Sequence, residues 1–488
     1  MNKPLRRVAI FCALLMLALL VRVNWVQFVQ AEELQSDQHN RRVAIERYSV
    51  PRGNIIVDGK AVTGSTTTDS GDFKYKRTYK NGELWAPVTG YASQAYGADK
   101  LENLYDEILT GNDDRLFFNR TIDMLTGKEQ TGGQVVTTLS REAQKAAFEG
   151  LGSKKGAVAA IDPSTGAILA LASTPSYDPS SIAGMTDEDA ETYQKLLKDP
   201  DKPMNNRPLR ETFFPGSTFK VVTAAAALEH GLIDDIDAKT KTPQPYLLPN
   251  TNTELKNDGP HPTCENGSLR EALRVSCNTV FGKLGADLGR EKLVETAEKF
   301  GFNNGEIDTP VRAGRSNVST EMDKPQTALS AIGQFETSST PLQMAMVTSA
   351  IANDGKLMKP YMVDELRAPN LNVIEQTNPE EMSRPLQPEN AQKLQQMMET
   401  VVEKGTGTRA QIPGVTVGGK TGTAQRGVDN SENPYAWFIS YAKDQNGSPV
   451  AVAVVVEDSD ADRGDISGGG LAAPIAKSVM QAVLDGNK

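Results

Sequence analysis

Ser217 and Lys220 are the first pair of residues whose types and spacing could do chemistry. Ser217 follows Pro215-Gly216 and precedes a run of strong helix formers, so the sequence predicts a helix that begins at Ser217 and stops near His230-Gly231. Residues three apart share one face of a helix, which brings the lysine amine beside the serine hydroxyl. The pair therefore indicates a serine nucleophile with a lysine base. One or two such spacings are nevertheless expected by chance in a chain of about this length.

Ser276-Cys277-Asn278 is a second polar group, and it follows a predicted helix. In a catalytic role, Ser276 would relay a proton and the Asn278 amide would hold an amide of the substrate. A short polar triplet between apolar segments is equally typical of a loop or a helix cap, so the sequence leaves both interpretations open.

Lys420-Thr421-Gly422-Thr423 is the third group and lies on a predicted strand. Its lysine and threonines offer a cation and hydroxyls for a carboxylate. Gly418, Gly419 and Gly422 weaken a strand but would let a ligand backbone approach, so that a substrate could add as an extra strand. The alternative is a lysine at a strand edge. The similar Lys404-Gly405-Thr406-Gly407 has the wrong order and is predicted to be a helix end with a loop.

The cysteines and histidines limit the other chemistries. Only Cys264 and Cys277 lie beyond the apolar N-terminal segment, and a disulfide and two buried thiols are equally compatible with their spacing. The three histidines stand apart from each other and from acidic clusters, so we predict neither a metal site nor a cofactor. The net charge of −10 lacks the basic footprint of a nucleic-acid-binding protein.

The N-terminal segment predicts a membrane anchor. Lys3, Arg6 and Arg7 precede an apolar stretch over Val8–Val29, long enough to cross a hydrocarbon core of about 30 Å. Basic residues before the span place the N-terminus in the cytoplasm and the rest of the chain outside. A cleaved signal peptide with a site at Val29-Gln30-Ala31 is the alternative.

Composition and pattern divide the chain into an anchor over residues 1–31, a small β-rich domain over 32–133 and a larger domain over 134–488. In the small domain, which we call the pedestal, Val43–Ile45 and Phe73–Tyr79 are predicted strands and Ala98–Leu109 a predicted helix. None of its residues suggests chemistry.

The large domain is predicted to be α+β. A hairpin turns at Asp162–Gly166, helical segments follow, and three strands are predicted over Thr416–Ala424, Ala436–Tyr441 and Ala451–Val456. A helix over Leu471–Leu484 closes the chain. Strands at both ends indicate one antiparallel sheet with a helical lobe inserted between them.

The three motifs, in this order and in these contexts, resemble the penicillin-binding, serine D,D-peptidase family. The resemblance extends over essentially the whole chain. Several segments are similar to class B penicillin-binding proteins, the monofunctional transpeptidases: GAVAAIDPSTGAILALASTPSYDP, NRPLRETFFPGSTFK, IGQFETSSTPLQMAMVTSAIANDGKLMKP and VGGKTGTAQ. The brief N-terminal domain, the Ser-Cys-Asn form of the second motif and the N-terminal anchor are most similar to the penicillin-binding protein A group within that class. The family's fold is a β-lactamase/transpeptidase-like domain behind a non-catalytic pedestal.

This resemblance implies a role for each motif. Ser217 would attack the carbonyl between two D-alanines of a peptidoglycan stem peptide, with Lys220 as the base. Ser276 would pass a proton to the leaving amine, and Asn278 would bind the stem peptide and orient Lys220. An amine of a neighbouring stem peptide would then take the acyl group and complete the cross-link.

The strand motif would bind the substrate. Lys420, Thr421 and Thr423, with Gly422 between them, would hold the terminal carboxylate, and the backbone N–H groups of Ser217 and Thr423 would form the oxyanion hole. Neutralising an ordinary lysine at pH 7 requires roughly 4.6 kcal/mol. We therefore expect burial and a charged Lys420 to lower the pKa of Lys220, with Lys420 keeping its charge.

The resemblance also implies partners: peptidoglycan stem peptides, β-lactams that acylate the serine, the membrane, and a membrane glycan polymerase of the shape, elongation, division and sporulation family. Three other functions stay open. A D,D-carboxypeptidase would use the same motifs with water as acceptor. A β-lactamase would need an activating glutamate, and Glu306, Glu321 and Glu336 occur in the interval without a matching sequence. A non-catalytic scaffold or β-lactam sensor is the third.

Overall fold

Five strands from both ends of the large domain form one antiparallel sheet. The computed structural model describes residues 3–36, 41–68, 71–117, 121, 125–127, 130–259, 261–426, 431–445, 447–459, 461, 463 and 466–486. From one edge to the other, the strands of the sheet are Thr416–Arg426, Glu432–Asp444, Gly447–Asp458, Lys155–Ile161 and Ile168–Thr174. The predicted sheet, its hairpin and its three late strands are confirmed. Strand Thr416–Arg426, which we call the edge strand, has a free side.

Helices cover both faces of this sheet. Arg141–Leu151 and the last helix, Ala473–Gly486, pack on one face, and Pro341–Ala352 packs on the other. The central strand Gly447–Asp458 is therefore buried on both faces, and its run from Val450 to Val456 is continuously apolar rather than alternating, as expected for a strand between two layers.

The helical lobe is formed by the part of the chain that lies in sequence between the first two and the last three strands of the sheet. Its helices are Asp187–Lys198, Arg207–Arg210, Lys220–Glu229, Leu269–Val275, Asn278–Leu288, Arg290–Lys299, Lys324–Ser330 and Pro388–Lys404. We call Lys220–Glu229 the catalytic helix. Every residue from Lys220 to Leu228 is buried, because the helix runs through the centre of the lobe. The α+β architecture predicted for this domain is confirmed.

The pedestal shares a second sheet with the large domain. The strands of this sheet, in order, are Val373–Gln376, Val363–Arg367, Gln134–Thr137, Ile55–Val57 and Lys60–Ala61. The other described pedestal elements are the strands Thr63–Thr67, Tyr75–Tyr79, Ala92–Ser93 and Gly97–Ala98, and the helices Arg41–Arg47, Gly82–Thr89, Lys100–Leu104 and Asp106–Thr110. Part of the predicted boundary near residue 133 (118–120, 122–124 and 128–129) lies outside the described residues.

Two local predictions in the pedestal are wrong. Val43–Ile45 belongs to helix Arg41–Arg47, because the arginines, alanine and glutamate around the two β-branched residues favour a helix. The single helix predicted over Ala98–Leu109 is two short helices that meet at Tyr105. The predicted strand at Phe73–Tyr79 begins two residues later, at Tyr75.

A buried charge cluster holds the pedestal together. The Glu102 carboxylate is fully buried and lies 2.6 Å from Arg52 Nε and 2.6 Å from Arg77 Nε. Burial alone would raise the pKa of Glu102, but the two guanidinium groups outweigh burial and lower it. Glu102 therefore bridges the two arginines, and Arg52 also pairs with Asp106 at 2.6 Å.

The first helix, Lys3–Phe28, is exposed along its described length, and its most apolar stretch has a mean hydropathy of 2.2. By length and composition it is compatible with a single-pass membrane anchor.

Replacing Glu102 with Gln should destabilise the protein by about 3–5 kcal/mol, because the substitution leaves the buried Arg77 guanidinium without a carboxylate and leaves Arg52 with Asp106 alone. Urea unfolding of the detergent-solubilised chain measures this loss. Glu107→Gln, at an exposed position of the same segment, should change stability by less than about 0.5 kcal/mol. Equal effects of the two substitutions would contradict a central role for Glu102.

Candidate active site

Ser217 lies in a 3-10 turn, Gly216–Phe219, that leads directly into the catalytic helix. The predicted α-helix therefore begins three residues later than expected, at Lys220, and ends at Glu229, next to the predicted stop. Gly216 has a φ of 49°, a conformation that favours glycine. Its N–H donates to the Gly333 carbonyl at 3.1 Å, so a loop of the lobe holds one side of the turn.

The large sheet holds the other side of the turn. The Trp437 indole Nε1–H donates to the Phe214 carbonyl at 3.0 Å, and the Phe213 ring packs edge-on against Trp437. Gly422 of the edge strand completes the contact, because a Cβ there would lie 2.9 Å from Thr218 Cγ2. The serine is thus positioned by two separate parts of the fold.

Lys220 is fully buried, and all the hydrogen bonds of its amine lead to the second motif. Its Nζ donates to the Ser276 carbonyl at 2.7 Å and to Asn278 Oδ1 at 2.7 Å, and it lies 3.1 Å from Ser276 Oγ. The structure therefore brings the second motif against the first, as the sequence predicts.

Ser276 lies between two amines. Its Oγ is 3.1 Å from Lys220 Nζ and 2.9 Å from Lys420 Nζ. Ser276 ends helix Leu269–Val275 with a φ of 66° and a ψ of 43°, a left-handed conformation that a non-glycine residue adopts at a cost of about 1–3 kcal/mol. A strained backbone conformation persists only where the surroundings enforce it. Here the contacts of the Ser276 hydroxyl with both lysine amines hold the residue in place.

Asn278 is held from the opposite side. Its Nδ2 donates to the Lys256 carbonyl at 3.2 Å, and the neighbouring Thr279 N–H donates to Asn257 Oδ1 at 3.0 Å. Cys277 forms a disulfide with Cys264, with a Cα–Cα distance of 5.6 Å. Cys277, the middle residue of the motif, is therefore covalently linked to the segment around Cys264, which follows Lys256 and Asn257 in sequence.

The edge strand supplies Lys420, which is fully buried, with Thr421 buried and Thr423 half-buried. Besides its bond to Ser276, Lys420 Nζ donates to the Thr421 carbonyl at 2.8 Å. Among the described residues no strand pairs with the free side of this strand, which leaves it open to an added substrate strand.

The glycines of this strand allow close packing on its two faces. A Cβ on Gly419 would meet the Phe438 ring at 2.7 Å, a Cβ on Gly418 would meet the Tyr441 ring, and Gly422 packs on the catalytic turn. These glycines let the sheet and the turn pack closely against the strand. That these glycines also make room for a ligand stays a prediction.

Thr406 is a candidate site residue that sequence reasoning missed. Its hydroxyl lies 2.6 Å from the Thr421 hydroxyl. The segment around it is the predicted helix end and loop, since helix Pro388–Lys404 stops there. The segment Lys404-Gly405-Thr406-Gly407 resembles the strand motif in composition, so the sequence analysis weighed Lys404 and rejected the segment. No local pattern distinguishes Thr406 from other loop threonines.

The pKa values of both lysines are lowered. Burial lowers the pKa of Lys220 to about 7, and Asp258 opposes this shift. Burial also lowers the pKa of Lys420, and the positive charge of Lys220 lowers it further. The expected lowering of the Lys220 pKa agrees with the burial of its amine, and the choice of Lys420 as the lysine that keeps its charge stays a prediction. Asp258 is a second residue that the sequence analysis missed.

This arrangement can move protons. A neutral Lys220 amine has two N–H bonds, which match the two carbonyl oxygens of Ser276 and Asn278, and one lone pair that can take a hydroxyl proton. The Ser276 hydroxyl, shared by two amines, can pass a proton between them and an adjacent group. The site thus holds a base, three residues from Ser217 in sequence, and a proton relay, which are the groups that a serine nucleophile requires.

A serine on a turn before a buried helix, a hydroxyl between two lysines and an open sheet edge define a serine acyl-transfer site of the penicillin-interacting kind. The chain belongs to the penicillin-binding protein family, class B: the family model "Penicillin binding protein transpeptidase domain" matches residues 156–481, and "Penicillin binding protein A dimerisation domain" matches residues 52–135. The family resemblance found in the sequence is confirmed.

Individual proteins of this family are similar to the chain over nearly its whole length. The chain is 40% identical to "Peptidoglycan D,D-transpeptidase PbpA" of Mycolicibacterium smegmatis, over 99% of both chains. Its fold matches penicillin-binding protein A from M. tuberculosis as a ceftriaxone acyl-enzyme, with a TM-score of 0.86 and 39% identity over 90% of this chain and 100% of the other. The penicillin G acyl-enzyme of that protein matches with a TM-score of 0.82 and 38% identity, over 89% of this chain and 100% of the other.

Acylation of Ser217 by a β-lactam should rise with pH up to about 7 and then level off. The lone pair of Lys220 is available only above its pKa of about 7 and is lost as the pH falls. Stopped-flow acylation between about pH 5 and pH 9 gives the profile. Asp258→Asn should move the profile to lower pH, because Asp258 raises the pKa of Lys220. A pH-independent rate would contradict Lys220 as the base.

Thr406→Val should weaken substrate acylation about 2- to 10-fold, because it removes one neutral hydrogen bond that orients the Thr421 hydroxyl. The loss should fall mainly on KM, since the substitution leaves the serine and both lysines untouched. Thr408→Val, an exposed threonine two residues away, is the matched control and should match the wild type. An unchanged KM in Thr406→Val would refute this role.

Proposed function

We propose that this chain is a peptidoglycan D,D-transpeptidase that acts through an acyl-Ser217 intermediate. The observation that carries the proposal is the Ser276 hydroxyl, held between the amines of Lys220 and Lys420 next to the Ser217 turn. The relatives named above support it, since one is named a peptidoglycan D,D-transpeptidase and another forms acyl-enzymes with β-lactams.

In the first step, Ser217 Oγ attacks the carbonyl carbon between the two terminal D-alanines, and Lys220 takes the hydroxyl proton. Negative charge develops on the carbonyl oxygen, which the backbone N–H groups of Ser217 and Thr423 would stabilise. The close packing of the turn on the strand supports this pairing, because a Cβ on Gly216 would lie 3.2 Å from the Thr423 carbonyl oxygen.

In the second step, the C–N bond to the terminal D-alanine breaks and its nitrogen needs a proton. Ser276 gives this proton and is reprotonated by Lys220, which returns the base to its starting form. The amine of a second stem peptide then attacks the ester carbonyl, loses a proton to the same relay and releases Ser217. The acyl group has moved from one amine to another, with no net change in protons on the enzyme.

The strand motif would bind the terminal carboxylate of the donor. Lys420, Thr421, Gly422 and Thr423 follow one another on the edge strand, and Thr406, whose hydroxyl lies 2.6 Å from that of Thr421, would orient it. A bound carboxylate favours the charged form of a nearby amine. Substrate binding would therefore raise the pKa of Lys420, whose burial lowers it in the free site.

We extend the proposal to location and assembly. Helix Lys3–Phe28 would anchor the chain with its N-terminus in the cytoplasm and residues 134–488 outside as the transpeptidase domain. The pedestal, residues 32–133, would be non-catalytic and would contact a membrane glycan polymerase of the shape, elongation, division and sporulation family. That partnership follows from the family alone.

Intact-mass measurement of the full chain with benzylpenicillin tests the nucleophile. We expect one stable adduct on the wild type and none on Ser217→Ala. No adduct on either would contradict the function, and rapid loss of the adduct with drug turnover would indicate a β-lactamase. Product analysis with a stem pentapeptide and an acceptor amine should give cross-linked peptide; release of D-alanine without cross-linking would favour a carboxypeptidase.

A further inference from the structure

A short segment over residues 255–257, which we call the clamp segment, lies against the first turns of helix Asn278–Leu288. This helix begins with the asparagine of the second motif. The clamp segment starts at Leu255, the last residue of a short hairpin strand. The Leu255 side chain fills a notch at Gly282, where an added Cβ would overlap Leu255 Cδ2. This apolar contact fixes the segment one helical turn away from Asn278.

Asn257 is the second anchor of the clamp segment. Its Oδ1 accepts from Thr279 N–H at 3.0 Å, and its Nδ2 donates to Thr279 Oγ1 at 3.1 Å. Thr279 is fully buried, and the first turn of a helix leaves its N–H groups without intrahelical partners. Cys277, the residue just before the helix, has its sulfur bonded to Cys264. Asn257 therefore supplies a capping oxygen from a distant part of the chain.

Lys256, between the two anchors, presents its backbone carbonyl to the second motif. This carbonyl accepts from Asn278 Nδ2 at 3.2 Å, while Asn278 Oδ1 accepts from Lys220 Nζ at 2.7 Å. A carbonyl can only accept, so it favours the amide orientation in which the Asn278 nitrogen faces Lys256 and the oxygen faces Lys220. The reverse orientation would bring two acceptor oxygens together and turn an N–H donor toward an amine.

The orientation of this amide determines where the base can act. The two N–H bonds of a neutral Lys220 are directed at the Ser276 carbonyl and at Asn278 Oδ1, which leaves one direction for the lone pair. Without the Asn278 oxygen, one N–H bond would be free and the amine could rotate. Proton transfer would then slow, because a catalytic group acts only when it is aligned with the reacting atoms.

We propose that Asn257 is a positioning residue for the base. It holds the Lys256 carbonyl against the Asn278 amide, and that amide directs the lone pair of Lys220. The inference rests on the proposed function, because it concerns the acylation of Ser217. The described hydrogen bonds of the Asn257 side chain go to Thr279, so its effect on the base passes through the second motif.

Asn257→Ala should lower the rate constant for acylation of the full chain by benzylpenicillin about 10- to 100-fold, the loss expected when a catalytic group is misaligned. Intact mass against time, with the chain in detergent, measures this rate constant. Asn252→Ala, an exposed asparagine in the loop of the same hairpin, is the matched control and should match the wild type. An unchanged rate constant in Asn257→Ala would overturn the proposal.

A double substitution separates positioning from general support of the fold. If Asn257 acts through Asn278, then Asn257→Ala should change the rate constant less than about 2-fold in a chain that already carries Asn278→Ala. A purely structural role would instead give the same loss in both backgrounds, and that result would also overturn the proposal.

Asn257→Asp keeps an oxygen acceptor for Thr279 and keeps the proposal testable if Asn257→Ala does not fold. Its rate constant at high pH should be within about 3-fold of the wild type, because the capping bond is retained. The charged groups that act on the two lysines are the lysines themselves and Asp258. A carboxylate beside Asp258 should raise the pKa of Lys220 further and move the acylation profile to higher pH.

Two outcomes separate this proposal from the proposed function. An Asn257→Asp variant that folds but stays as slow as Asn257→Ala at high pH would remove the role of Asn257 alone, as would the results described above, provided that the wild type forms its adduct. Failure of the wild type to form any benzylpenicillin adduct would remove the proposed function itself.

Discussion

The structure depends on one electrostatic constraint, which is that two lysine amines are buried around a single serine hydroxyl. Lys220 and Lys420 are both fully buried, and each lies within 3.1 Å of Ser276 Oγ. In such a low-dielectric setting two positive charges repel strongly, so the pair favours the loss of a proton at neutral pH. The fold therefore provides a neutral amine beside the Ser276 hydroxyl.

The other features keep these groups in place. The Trp437 indole and the Gly333 loop hold the serine turn from two sides, and the disulfide and Asn257 hold the second motif. The glycines of the edge strand let the turn and the sheet approach. Precise placement matters because proton transfer needs heavy-atom distances near 2.6–3.2 Å.

Local sequence patterns were sufficient to predict the three motifs and the large sheet. The motifs could be found because each is contiguous in sequence, and the sheet because its strands are strongly apolar and separated by turn residues. What the sequence did not reveal depends on tertiary contacts: the hydroxyl of Thr406 against Thr421, the charge of Asp258 near the lysines, and the atoms that occupy the space beside Gly418 and Gly422.

The second sheet has a mechanical meaning. Strand Gln134–Thr137 pairs in parallel with Ile55–Val57 of the pedestal and antiparallel with Val363–Arg367 of the large domain. Just before this last strand, Met362 N–H donates to the Thr309 carbonyl at 2.8 Å. Hydrogen-bonded backbone therefore runs without interruption from the pedestal strand Ile55–Val57 through Gln134–Thr137 to the loop around Thr309. A displacement of the pedestal strand would load these bonds directly, rather than being absorbed in a linker.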